Sequence, residues 1–145
     1  MSNEQRQQLN REIIAEFRAN GGVVGGQFAN MSLLLLTTTG ARTGEQRTWP
    51  LGYLRDGDRV VIFAANGGRS NKPGWYHNLV ANPEATIEVG TESWPVVASI
   101  VEGAERKRLW DSELEVAPFL ADFQNAVPWE IPVLALTPAN GSAAG

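Results

Sequence analysis

Between Leu33 and Ala64 the chain alternates short apolar runs with glycine-bearing polar turns, and this alternation governs what it can fold into. Leu33–Thr38 is an apolar run closed by β-branched threonines, which reads as a buried strand. Thr48–Arg55 and Arg59–Ala64 flank Asp56-Gly57, and Asp-Gly between apolar runs is a strong short-range sign of a β-hairpin. Two further polar segments, Gly40–Arg47 and Asn66–Pro73, each leave a strand.

The same stretch has an unusual charge balance. From Gly40 to Ala81 six bases face three acids, a local +3 in a chain of net −4, which leaves −7 for the remainder. Glycines allow sharp turns and close backbone approach, and N–H groups exposed at such turns form concavities that hold anions. Arg42 and Arg47 beside them would add bidentate contacts to phosphate or carboxylate, each worth about 1.5–3 kcal/mol as a charge-assisted bond. The plain alternative is that glycine and arginine only mark solvated turns.

Other features exclude whole classes of function. The chain has no cysteine, which removes disulfides, thiolate metal sites and cysteine nucleophiles. His77 is the single histidine, so a histidine metal cluster is not expected. The apolar run around Leu33–Leu36 is far short of the roughly 20 residues of a membrane span, and no signal-like N-terminus is present. A cytoplasmic protein is the default, and the net acidity argues against general nucleic-acid binding. Hydrophobic residues at 43% and charged residues at 19% are ordinary for one globular domain. GGVVGGQ lacks dinucleotide-fold spacing, and GARTG lacks the length and lysine of a phosphate-binding P-loop.

Along the chain, Leu9, Ile13 and Phe17 recur with helical spacing, and Ile14 lies beside them. A helix over about residues 3–19 follows, with a Ser2/Gln5 capping box and a stop at Asn20-Gly21-Gly22. Packing inward is the favoured use of its narrow apolar face; peripheral membrane contact is the other use open to it. Pro73 opens a short helix, Gly74–Ala81, which Asn82-Pro83 ends. Strands are expected at Ala85–Val89 and Trp94–Val101 around the turn Gly90–Ser93, and at Ile131–Leu136. Glu102–Glu115 reads as a helix, interrupted by Pro118 before Phe119–Phe123. About six mostly antiparallel strands with flanking helices make an α+β fold. Residues 1–138 read as one domain and 139–145 as a disordered tail.

TTTGARTGEQRTWPLGYLRDGDRVVIFAANGG, followed by KPGWYHNLVANPEATIEV, resembles the deazaflavin-dependent nitroreductases, also called F420H2-dependent quinone reductases. The ordered series TTTGxxTGxxR, PL, GG and PxWYxNLxANP carries the likeness over most of the chain. It implies a split β-barrel that binds reduced coenzyme F420 and passes a hydride to a quinone, nitroaromatic or activated alkene. An FMN-binding split-barrel oxidoreductase, or a non-catalytic carrier of deazaflavin or fatty acid, are the alternatives. The coenzyme joins a flat deazaflavin ring to a phosphate and an oligoglutamate tail, so its site needs an apolar slot and bases.

Carried over by position, Arg42, Thr43 and Arg47 would meet the phosphate and tail. Thr48, Trp49, Pro50, Leu51 and Gly52 would run beside the ring, on a strand whose edge Pro50 keeps open. Phe63, Ala64, Ala65 and Asn66, then Gly74, Trp75, Tyr76, His77 and Asn78, would close the pocket, with Trp75 as its large apolar wall. Relatives often carry Ser-Lys where this chain has Ala65-Asn66; Arg69 or Lys72 would have to replace the missing charge. Ala117, Leu120 and Phe123 stand where the best-known relatives place tyrosines, and they would face the second substrate. No acid–base pair stands out as catalytic. The source of the accompanying proton, the physiological acceptor and the oligomeric state stay open.

Overall fold

The computed structural model describes residues 2–26 and 32–139, so positions 140–145 of the expected tail lie outside the described residues. Helix α1 (Asn3–Ala19) has the expected reciprocal cap: the Ser2 hydroxyl accepts from the Gln5 N–H at 3.1 Å, and the Gln5 side chain accepts from the Ser2 N–H at 2.8 Å. Ile13 and Phe17 are buried with Val24 against Leu35, and Leu9 and Ile14 pack at the margin. The apolar stripe of α1 is therefore occupied by the sheet rather than offered to a membrane. No helix among the described residues is long and apolar enough to cross one.

Seven strands form one antiparallel sheet: β1 (Leu33–Thr39), β2 (Gln46–Gly52), β3 (Leu54–Asp56), β4 (Arg59–Phe63), β5 (Glu84–Val89), β6 (Glu92–Val101) and β7 (Val133–Pro138). Their spatial order is β2-β1-β5-β6-β7-β4-β3. The two ends of that order, β2 and β3, are separated in the chain by Tyr53 alone. A flat sheet cannot have both edges on one residue, so the sheet curls into a barrel-like shell.

This corner explains the seventh strand. The run Thr48–Arg55 is two strands because its first part pairs with β1 and its last part with β4. The hairpin loop is Gly57-Asp58 rather than Asp56-Gly57, since Asp56 still pairs with Arg59. Gly57 adopts φ +65°, which its missing Cβ permits. The β5–β6 turn is likewise tighter than expected, with Val89 paired to Glu92, and the closing strand starts at Val133, two residues late. Pro50 stands on the edge strand β2, and Pro95 stands where β6 has outrun its pairing with β7.

The core follows from the period of two along a strand. Leu34 and Leu36 of β1, Val60 and Ile62 of β4, and Leu134 and Leu136 of β7 fill the interior. The residues between them are buried too, because helices cover the outer face. Leu35 lies under α1, while Val61, Val133 and Ala135 lie with Leu109 of helix α3 (Gly103–Val116). Helix α2 (Gly74–Ala81) puts Trp75 and Leu79 into the interior cluster. Helix α4 (Leu120–Asn125) follows α3 after Pro118.

Candidate functional site

Two surfaces meet along the barrel edge. The first is the turn from Gly40 to Glu45 with strand β2 and the start of α2. The Gly40 N–H donates to the Glu45 carbonyl at 2.7 Å, and a Cβ on Gly40 would lie 2.8 Å from Thr43 Oγ1. Thr43 Oγ1 also accepts from the Glu45 N–H at 3.2 Å, so this hydroxyl shapes the turn. Asn78 ties the turn to the barrel: its Oδ1 accepts from the Ala41 N–H and its amide donates to the buried Thr38 hydroxyl, both at 3.0 Å.

The charges on this surface are poised for an external partner. Of the six bases between Gly40 and Ala81, Arg59 alone forms an ion pair among the described residues. Arg42 and Arg47 are exposed, and neither faces an acid at ion-pair distance. Lys72 lies over the Trp129 ring at 4.4 Å, which holds its charge near the neighbouring loop. Thr48, Trp49, Pro50 and Leu51 are half-buried on β2, with Trp49 Cζ2 3.9 Å from where a Cβ on Gly74 would stand.

The second surface is a cavity of about 460 Å³ between the β2–β3 corner, the end of β4 and the α3–α4 region. Gly52, Tyr53, Leu54 and Arg55 form one wall with Ser32, and Phe63 and Ala65 form its floor. Glu113, Val116, Ala117, Phe119, Leu120 and Phe123 face them. Gln124 fixes this side: its amide donates to the Trp129 carbonyl at 2.7 Å and its Oε1 accepts from the Ile131 N–H at 2.9 Å. The turn of 3-10 helix Asn66–Gly68 packs on α4, since a Cβ on Gly68 would lie 3.1 Å from the Phe123 ring. Burial pushes the Glu113 carboxyl above its ordinary value.

A family model described as F420H(2)-dependent quinone reductase matches residues 9–138. The chain belongs to that family. A protein of Mycobacterium tuberculosis named F420H(2)-dependent quinone reductase is 40% identical over 134 residues, covering 90% of each chain. A solved structure described as an F420-H2 dependent reductase is similar at TM-score 0.67 and 33% identity, over 72% of this chain and 93% of that one. Another, described as a domain-swapped dimer, is similar at TM-score 0.70 and 29% identity, over 91% and 98%. Members of the family are oxidoreductases, and reduced coenzyme F420 is the cofactor. The split-barrel architecture agrees with these neighbours. The FMN and carrier alternatives are not the ones they favour.

The residues of the chain suit that coenzyme: unpaired arginines at an exposed glycine turn match a polyanion, and the half-buried β2 edge with Trp49 and Tyr76 matches a flat ring. The expected residues divide between the two surfaces. Gly52, Phe63 and Ala65 join Ala117, Leu120 and Phe123 in the cavity. Arg42, Thr43 and Arg47 lie on the turn side. Trp75, 3% exposed, and Ala64, 1% exposed, belong to the core, so Trp75 supports the wall from behind instead of forming it. The Asn66 amide donates to the Asn71 carbonyl at 2.8 Å and shapes its own loop. His77 is exposed at the periphery, edge-on to Tyr76 at 5.4 Å. Sequence reasoning missed Ser32, Tyr53, Leu54, Arg55, Glu113, Val116 and Phe119 as lining residues. The i, i+3, i+4 relation of Glu113, Val116 and Ala117 was the available signal.

Proposed function

We propose that the chain catalyses hydride transfer from reduced F420, seated along β2 and the Gly40–Glu45 turn, to an apolar quinone in the neighbouring cavity. The observation that carries this reading is the cavity itself: its lining is mainly apolar and includes Gly52, Phe63 and Ala65 from the segments expected to face the coenzyme. A deazaflavin supplies a two-electron hydride when bound, so the protein's task is alignment of donor and acceptor and exclusion of water. Arg42 and Arg47 hold the anionic end. Trp49, Leu51 and Tyr76 border the ring, and Phe123 with Leu120 bounds the acceptor.

On the α3–α4 side of the cavity Ala117, Leu120 and Phe123 stand where the best-known relatives carry tyrosines, and a hydroxyl near a developing oxyanion stabilises it strongly in a dry pocket. The apolar wall, opened by Ala117, favours bulkier and more apolar acceptors such as quinones over bicyclic nitroimidazoles. Steady-state oxidation of reduced F420 by a soluble naphthoquinone and a nitroimidazole in parallel tests this. Quinone turnover should exceed nitro turnover by about tenfold, equivalent to about 1.4 kcal/mol of barrier. Faster nitro turnover, or no oxidation by any quinone, overturns it.

A further inference from the structure

Glu113 is the acid that lines the cavity, and no hydrogen bond or ion pair of its carboxyl with a described residue explains its place there. It stands on the last turns of α3, where Glu113, Val116 and Ala117 fall on one helix face, and all three line the cavity. A carboxyl on an amphipathic helix is ordinarily turned to water. This one instead shares an apolar enclosure with Phe63, Leu120 and Phe123. Its oxygens keep some contact with solvent, since neither is a buried atom without a partner. The other charged or titratable groups on the lining are Tyr53 and Arg55, both from the opposite wall. Arg55 is exposed and no nearer to Glu113 than ion-pair distance.

We propose that Glu113 is the catalytic proton donor to the acceptor oxygen during quinone reduction, a step that rests on the placement of the quinone in this cavity. A quinone that gains a hydride has gained two electrons and one hydrogen nucleus, and needs one further proton to become a neutral hydroquinone. The Glu113 O–H bond breaks as the new O–H bond forms on the quinone, and the carboxylate recovers a proton from water at the cavity mouth. Val116, 73% exposed, and Phe119, 47% exposed, lie on that lining with much of their surface in solvent, which gives water a route. Desolvation disfavours the charged carboxylate already, and an apolar acceptor filling the cavity displaces more water and favours the protonated acid further. Acceptor binding thus shifts the group further toward its protonated, proton-donating form. Among the described residues Arg55 is the one base on the same lining, and a base there would offset charge on the oxygen before the proton arrives.

The test compares wild type, Glu113→Gln, Glu113→Asp and Tyr53→Phe. Single-turnover oxidation of reduced F420 by a soluble naphthoquinone is followed across pH, and coenzyme affinity is measured separately. In coenzyme-free protein, carboxyl carbon NMR follows Glu113, assigned by its loss in Glu113→Gln, with and without a redox-inert naphthalene analogue. The Glu113 midpoint should lie above the ordinary glutamate value of about 4.3 and rise when the analogue binds. Glu113→Gln should keep coenzyme affinity, slow turnover by about 100-fold, and lose the decline of rate that wild type shows as pH rises through that midpoint. Glu113→Asp should restore part of the rate and its pH dependence. Wild-type turnover that Glu113→Gln leaves unchanged overturns the assignment, as does a Glu113 midpoint indifferent to the analogue. Loss of the pH dependence in Tyr53→Phe and not in Glu113→Gln moves the role to the phenol. If wild type reduces no quinone, the functional reading falls first and this step falls with it.

Discussion

Six bases in the central segment look alike in sequence, and only the fold separates those left open to an external partner from those that brace. Arg59 joins Asp56 at 2.9 Å and also reaches Glu105, while Arg108 meets Asp56 at 3.3 Å. The bonds from Arg108 and Arg59 hold the Asp56 carboxyl below the usual carboxylate range. Because its folded-state value is depressed, Asp56 contributes fully above the unfolded value of about 3.9, and that contribution disappears as pH falls through the folded-state value. Asp56→Asn should cost about 1 kcal/mol in urea unfolding at neutral pH, with the two proteins converging in acid. Arg42 and Arg47, by contrast, are unpaired and exposed. Arg42→Ala and Arg47→Ala should each weaken F420 binding by about 1 kcal/mol or less, more at low salt than at high, with little change in unfolding. Equal losses for a coenzyme fragment lacking phosphate and tail would show that these arginines do not touch the anion. Glycine turns made that surface legible from sequence, but Glu113 was not, because a helical acid looks the same whether it faces water or a cavity.

At the scale of elements, local signals located nearly every helix and strand, and tertiary pairing set their limits. The Ser2/Gln5 box and Asn82-Pro83 are contained in a few adjacent residues, so they were readable. The division of Thr48–Arg55 was not, since nothing within the run says that its halves serve opposite ends of the sheet. Nor was the docking of α1 on the β5–β6 turn. There Gly22 has φ +94°, its absent Cβ would lie 2.6 Å from Gly90 Cα, and Arg18 meets Glu88 at 2.8 Å. Gly90 sits in the tight β5–β6 turn and the Gly22 N–H is bonded to the Phe17 carbonyl at 2.8 Å, so neither backbone yields cheaply. Gly22→Ala should therefore lower stability by about 1–3 kcal/mol, a loss visible in thermal or urea unfolding. Gly26→Ala is the comparison: it shares a positive φ of +63° but a Cβ there meets no described residue within 4 Å, so mainly the backbone part of the cost should remain. Equal losses at both positions would show that the close approach to Gly90 contributes nothing.

For the molecule as a whole, the curled sheet brings both proposed surfaces to one corner. β2 borders the coenzyme side, and the same chain, turned at Tyr53, walls the acceptor cavity through Leu54 and Arg55. A ligand held on β2 and α2 binds the folded chain alone, so its binding must appear in global unfolding. A ligand at about 100 times its dissociation constant adds about 2.7 kcal/mol to the stability of a folded state that alone binds it. For a chain of 145 residues this raises Tm by about 5–10 °C. Scanning calorimetry with F420, FMN and NADPH at equal concentration should show that rise for F420 alone. In Arg42→Ala and Arg47→Ala the rise should shrink in step with affinity, because the shift depends on the ratio of ligand to dissociation constant and not on the arginines' own contribution to folding. Glu113→Gln should keep the whole F420 shift, since Glu113 lines the cavity proposed for the acceptor. Without ligand it should be no less stable than wild type: a carboxyl whose folded-state value is raised favours the native state in acid and loses that advantage as pH rises through the raised value. An equal rise with FMN would mean that the β2 side does not discriminate between the two ring systems.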